Sequence, residues 1–351
     1  MKKIVVLLVL TVFLLGGCSW MDGEYHSVKP HASDSNQQQN DAVMVSGYNE
    51  LRDALVKLVT SGRTEQTFYT SGIDEEMVDQ YMNTAIMHMF QNSAVGAYAV
   101  DKVNYEFGTS GGTPAIAVDV EYLHGRQEIL RIKNTSSMEG VEMLLTNALN
   151  NCDASVVIKV SQYEELDVEQ FVQNYANANP HLCMEEPLVT AVTYPDRGEE
   201  RVLEVLFTYQ TSRDALRTMQ NMVSPIFSAA ELYVRDSEDA HQKYEQLYAF
   251  LTERFDYKIE TSNTPAYSLL RYGVGDSKAF AMVYRVMCRN AGLECTVVPG
   301  TRNGEAWYWN YILIDDTCYH VDLLASSKAG AFETMRTDDM SGYVWDYSAY
   351  P

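Results

Sequence analysis

The sequence predicts an α+β protein: two tandem small α-β-α-β-β modules, followed by a third α+β domain of different design. Three observations carry that expectation. Apolar residues switch repeatedly between helical spacing and strict alternation. The pattern over residues 46–135 recurs over 136–223. From about Ser224 it gives way to another, which runs to residue 351.

In the first module, Leu51, Leu55, Leu58 and Val59 recur at helical spacing, and Gly62 stops the helix. A short strand is expected over Gln66–Thr70. Asp74 reads as the N-cap of a second helix, with Met77, Val78, Tyr81, Met82, Ala85, Ile86 and Met89 on one face. Two strands follow, about Ala97–Phe107 and Ala115–Leu123, joined through Gly111-Gly112. Ile116, Val118, Val120 and Tyr122 alternate as in a half-buried strand.

The second module repeats this order. A helix over Met138–Asn150 precedes the strand Val156–Tyr163, and Asp167 caps a helix with Phe171, Val172 and Tyr175 inward. Strands over Leu188–Tyr194 and Arg201–Tyr209 turn at Asp196-Arg197-Gly198. Asp74 aligns with Asp167, Val103 and Tyr105 with Val192 and Tyr194, and Tyr122 and Arg126 with Tyr209 and Arg213. No set of catalytic groups repeats with the modules, so spacing or binding is their expected work.

Composition narrows the partners. The chain of 351 residues is 46% apolar, enough for real cores, and carries a net charge of −22. So acidic a balance argues against nucleic acid and against direct docking on anionic surfaces. No metal-ligand spacing and no phosphate loop is present, so no cofactor is expected. Asp316 and Glu333 read as a solvated face rather than a calcium site.

Ahead of the modules, Lys2 and Lys3 form a basic start, and Ile4–Leu15 is an uncharged, mostly apolar run. That run is shorter than the about 20 residues a membrane-spanning helix needs. It ends Leu15-Gly16-Gly17-Cys18, which resembles the lipobox cut by the bacterial lipoprotein signal peptidase. The resemblance implies that residues 1–17 are a signal peptide and that Cys18 carries fatty acyl chains, palmitate among them. These would hold the protein to the outer side of the bacterial cell membrane. Cleavage removes two lysines and no acid, leaving −24. Residues 18–45, with the run Ser33–Asp41, are polar and weakly patterned and read as a flexible tether.

Beyond Cys18, five cysteines remain: Cys152, Cys183, Cys288, Cys295 and Cys318. A Cys152–Cys183 disulfide and buried free thiols are both compatible with the spacing.

The third domain carries a more specific signature. Tyr272-Gly273-Val274-Gly275-Asp276-Ser277-Lys278-Ala279-Phe280-Ala281 opens a helix that closes at Ala291-Gly292, and Cys295–Gly300 follows as a strand. Further on stand Trp309-Asn310-Tyr311-Ile312-Leu313-Ile314-Asp315-Asp316 and Tyr319-His320-Val321-Asp322. In order and spacing this stretch, over roughly 228–351, resembles the core of the transglutaminase-like superfamily, of papain-like architecture. The resemblance implies a cysteine at the helix start, a histidine on the next strand and an aspartate on the one after. Such a cysteine is activated by the helix dipole and the imidazole base, and the aspartate fixes the tautomer.

Two of those three positions differ here. Ser277 stands at the nucleophile position and Trp307 at the histidine position; Asp322 remains. An indole has no lone pair able to take a proton. Loss of one member of such a catalytic unit can cost on the order of a million-fold. Ser277 then reads as a helix N-cap, and the domain as a pseudoenzyme that binds or scaffolds. His320, two residues before Asp322, is the candidate base of an alternative serine acyltransferase or peptidase. In a further alternative the domain is purely structural and the tandem modules bind. Trp307, Trp309 and Tyr311 alternate on one strand and, with His320, are the candidate lining of a groove for an envelope protein, peptide or glycan. Alternatively Trp307 plugs the cleft.

Overall fold

The computed structural model describes residues 42–237, 239–259 and 262–351, so the signal peptide, Cys18 and nearly all of the tether lie outside the described residues. Leu51, Leu55, Leu58 and Val59 are all buried, and they draw helix α1 (Tyr48–Thr60) against helix α2 (Glu75–Asn92) through its buried stripe Val78, Met82, Ala85 and Met89. Strands β1 (Val43–Val45), β2 (Glu65–Thr70), β3 (Val100–Ser110) and β4 (Thr113–Tyr122) form a sheet in the order β1-β2-β4-β3. Gly111 and Gly112, at φ +61° and +82°, make the two-residue hairpin that β3 and β4 need, because both central positions are left-handed.

One stretch differs in type from expectation. Residues 97–99, expected as the start of a strand, close a short helix α3 (Ala94–Ala99), which Ser93 caps by accepting the Gly96 N–H at 3.2 Å. The cap and the alanine-rich run favour helix until Val100.

The second repeat follows the same course. After the short helix α4 (Arg126–Leu130) come β5 (Lys133–Thr135), α5 (Met138–Asn150), β6 (Ser155–Val160), α6 (Val168–Ala178), β7 (Leu188–Tyr194) and β8 (Arg201–Thr208). Their sheet order, β5-β6-β8-β7, copies that of the first sheet. Cys152, at φ +51°, ends α5 where Gly62, at φ +64°, ends α1. Strand register revises one detail of the alignment. With Phe207 equivalent to Val120, the partner of Val103 is Val120 and that of Phe207 is Val189. Val103 and Tyr105 therefore correspond to Val189 and Ala191, not to Val192 and Tyr194. The additional helix α3 and a longer second hairpin loop shift the offset abruptly rather than gradually. Tyr194 lies on the opposite sheet face, where Tyr98 of α3 meets it edge-on at 5.5 Å.

The expected boundary at 223/224 falls inside one continuous helix, α7 (Arg213–Val234). Pro225, inside the helix, has no N–H to give it, yet Leu216, Val223, Phe227, Ala230 and Val234 keep one buried stripe through it. That stripe belongs to a core that also holds Cys152 and Met184 of the second repeat and Phe280, Tyr284 and Ile312 of the C-terminal domain. Residues 45–351 form one compact unit.

In the C-terminal part, helices α8 (Ala240–Thr252) and α9 (Pro265–Tyr272) and the paired short strands β9 (Asp256–Tyr257) and β10 (Val274–Gly275) lead to helix α10 (Ser277–Asn290). Nearly every side chain in the first three turns of α10 is buried. It packs against an antiparallel sheet of β11 (Cys295–Arg302), β12 (Glu305–Ile314), β13 (Thr317–Val321) and β14 (Tyr343–Trp345), in the order β13-β12-β11-β14. Helix α11 (Leu323–Ala329) follows β13. Gly300 is required on β11: a Cβ there would lie 2.5 Å from the Val344 carbonyl oxygen and 2.6 Å from the Trp309 ring. No described helix is long and apolar enough to cross a membrane. The five described cysteines are free thiols, and burial pushes the Cys183 thiol up to about 12.

Candidate functional site

The start of α10 meets the beginning of β12 and the end of β13, and there the three positions read from sequence come together. The cap of α10 is Asp276, whose Oδ1 accepts the Ala279 N–H at 2.8 Å. Ser277, expected as the cap, is instead the first residue inside the helix. Asp276 takes the role because its longer acidic side chain reaches the free amides and complements the helix dipole. Ser277 is buried, and its Oγ accepts the backbone N–H of Tyr308 at 3.3 Å. Among the described residues, no side-chain base is hydrogen-bonded to that hydroxyl.

Trp307 directly precedes Tyr308 on β12, and its indole Nε1–H donates to Asp322 Oδ2 at 2.8 Å. Where a histidine would offer a ring N–H to the aspartate and a lone pair to the nucleophile, the indole supplies only the first. Asp322 is 1% exposed and accepts from five donors. Oδ1 takes the N–H groups of Leu324 and Ala325 at 3.0 and 3.1 Å, capping α11. Oδ2 takes Trp307, Arg302 Nη1 at 3.1 Å and the Tyr343 hydroxyl at 2.7 Å. Burial, with the Asp322 charge second, pushes the Tyr343 phenol well above its ordinary value. The Arg302 guanidinium lies 5.5 Å over the Trp307 ring and 5.3 Å over Tyr343, so it is held by two rings and a carboxylate.

The groove expected from Trp307, Trp309, Tyr311 and His320 is not open along its length. Register confirms that these side chains share a sheet face, since Tyr311 pairs with His320. However, Trp309 and His320 are each 1% exposed and cannot line a groove. The chain's own C-terminal segment covers them. Trp345 packs on Trp309 at 5.6 Å and on His320 at 4.8 Å, and its indole donates to Tyr350 O at 2.8 Å. Tyr311 is half-buried and donates to Pro351 O at 2.9 Å. Trp307 is half-buried, its edge flanked by Tyr257 at 5.6 Å.

His320 is also poorly placed as a base. Its Nδ1 accepts the Trp309 indole N–H at 3.0 Å, and burial lowers its pKa to about 4. It pairs with Tyr311, whereas Ser277 is bonded at Tyr308, three residues and about 10 Å along β12. Asn310, fully buried, ties the sheet to α10 by donating to Ala281 O at 2.9 Å. Sequence reading missed Arg302 and Tyr343 as partners of Asp322. Tyr343 arrives from a distant strand with no periodic signal, whereas Arg302 heads the hairpin into β12 and was within reach of a register argument. The described residues hold no cluster of metal-ligating groups.

Residues 228–345 match the family model of the transglutaminase-like superfamily, so a transglutaminase-like domain occupies the C-terminal third of the chain. No curated protein matches. Among solved structures, a TGase is 9% identical, with 63% of this chain and 66% of that chain covered at a TM-score of 0.27. A cysteine-protease candidate from Cytophaga hutchinsonii is 11% identical, covering 45% of this chain and 70% of that one at a TM-score of 0.26. A protease candidate from Parabacteroides distasonis is 9% identical, covering 74% of this chain and 40% of that one at a TM-score of 0.25. The chain thus spans just under two thirds of the TGase and well under half of the Parabacteroides protein.

Proposed function

We propose that this protein is held to the outer side of a bacterial membrane through acylated Cys18 and that its transglutaminase-like domain binds without catalysing. The observation that carries the second part is the hydrogen bond from Trp307 to Asp322. The indole satisfies the aspartate and leaves Ser277 without a proton acceptor, so the serine hydroxyl stays a weak nucleophile. The triad positions then act as structure: Asp322 ties β13, α11, β11 and β14 together. The acidic balance of the chain favours a basic or neutral partner in the envelope over nucleic acid.

Incubating the purified protein with glutamine-donor peptides and amines, and separately with peptide substrates, tests this. Neither crosslinking nor cleavage is expected, from wild type or from Ser277→Ala. Wild-type turnover that Ser277→Ala abolishes overturns the proposal.

A further inference from the structure

A cavity of about 310 Å³ lies where the second repeat meets the transglutaminase-like domain. One wall comes from the end of α6 and the loop after it, with Asn177, Glu185 and Glu186; the other includes Asn263, Asp276 and Lys278. The size suits a side chain or small ligand, at the low end of ordinary ligand pockets.

Its chemistry is one-sided. Glu185 is 3% exposed, and each of its oxygens accepts one backbone N–H, from Gln210 at 2.5 Å and Thr211 at 3.0 Å. Among the described residues no lysine, arginine or histidine forms an ion pair with it. Two amides leave lone pairs over and do not neutralise the charge, and a buried carboxylate without a cation is unfavourable. Asp276 has Oδ1 engaged in capping α10, and no described hydrogen bond occupies Oδ2. Asn177 Oδ1 is buried with no hydrogen-bond partner. The one cation of the lining, Lys278, lies 4.0 Å from exposed Glu186 and so is matched already. What remains unsatisfied is a set of acceptors under a net negative field.

We infer that this cavity binds an organic cation, a guanidinium or ammonium group on a short aliphatic stem, presented by a basic polypeptide. Such a group carries several N–H donors and no acceptor, which complements the walls. The net charge of −22 draws basic chains toward the protein. The cavity draws half its wall from the second repeat, which the family match at 228–345 does not include, so it is a property of this chain's own arrangement. The inference takes its purpose from the non-catalytic reading above, but its test does not depend on that reading.

Calorimetry on the full protein uses two probes, agmatine and the blocked peptide acetyl-Gly-Arg-Gly-amide, with the citrulline peptide as the uncharged control. Saturable binding of the arginine peptide and none of the control is expected. Agmatine binding as tightly as the peptide would assign the site to free amines rather than to a polypeptide and overturn that part. Glu186→Lys, at an exposed residue and checked for an unchanged fold by far-UV circular dichroism, should weaken binding by about tenfold, equal to 1.4 kcal/mol. Glu185→Gln should abolish it, although that variant also perturbs the Gln210–Thr211 turn. The same titrations on Ser277→Ala keep binding separate from turnover, so a protein that proves catalytic can still bind the probe. No saturable binding, equal binding of the citrulline peptide, or full affinity in both glutamate variants overturns the inference.

Discussion

Trp307→Phe isolates the contact on which the non-catalytic proposal rests. Phenylalanine keeps a ring between Arg302 and Tyr257 but removes the N–H that reaches Asp322 at 2.8 Å. Asp322 Oδ2 retains Arg302 at 3.1 Å and Tyr343 at 2.7 Å, so the carboxylate is not orphaned and the loss is one charge-assisted bond. Such a bond is worth about 1.5–3 kcal/mol. The smaller ring loses burial of well under about 1 kcal/mol more, because Trp307 is only half-buried. A destabilisation of about 2–3 kcal/mol follows, which in a unit of about 300 residues lowers Tm by roughly 3–5 °C. Urea unfolding and calorimetry measure it, with far-UV circular dichroism to show that the fold is kept. Tyr343→Phe removes a donor from the same oxygen and should cost a similar amount. The double variant should cost more than the two singles together, because Asp322 then has only Arg302 beside its capping amides. A Trp307→Phe protein within about 0.5 kcal/mol of wild type would show that the indole N–H does not hold Asp322.

Other expectations reach different parts of the chain. Cys18→Ala should leave the precursor without fatty acid and alter its processing, read by metabolic labelling and membrane fractionation; equal labelling of the mutant sinks the anchor. His320 should make the fold acid-sensitive. Burial lowers its pKa to about 4 from an ordinary 6.5, so the unfolded chain binds the extra proton between those values. Stability contributed by the neutral ring is therefore full above about pH 6.5 and lost as pH falls toward 4, amounting to about 2 kcal/mol by pH 4.5. Unfolding curves at pH 7 and 4.5 should differ by at least that much, since His181 is lowered in the same way, and His320→Gln should narrow the difference. A pH-independent stability over this range contradicts the buried neutral imidazole.

How far the sequence reached depended on whether the signal was local. The helices over 48–60 and 138–150 were readable because their apolar residues keep one face over three turns or more. The strands joined by Gly111-Gly112 were readable because a glycine pair takes both left-handed positions of the turn without strain. Helix α3 was missed because six residues are too few to show a period, and its cap, Ser93, follows directly on the helix before it. The register of β3 against its repeat was misjudged because a one-strand alignment cannot tell a gradual drift from an inserted helix. At the site, the meeting of Ser277, Trp307 and Asp322 was legible from motif spacing. The cover over Trp309 and His320 was not, because it depends on where residues 343–351 return, with only three residues of strand to announce it. The buried Glu185 gave no sign either, since burial of a lone glutamate is decided by the repeat and the domain packing together.

The non-catalytic proposal makes Trp307 the residue that deprives position 277 of a base. Alkylation of an introduced thiol, followed against pH, separates the alternatives: Ser277→Cys alone, and Ser277→Cys with Trp307→His. A thiol of ordinary reactivity is expected in the single variant. In the double variant the thiolate is expected to react at least about tenfold faster at neutral pH, its proton taken by an imidazole held on Asp322. A single variant that already reacts as fast as the double would contradict the proposal, because a base would then be present without a histidine at 307.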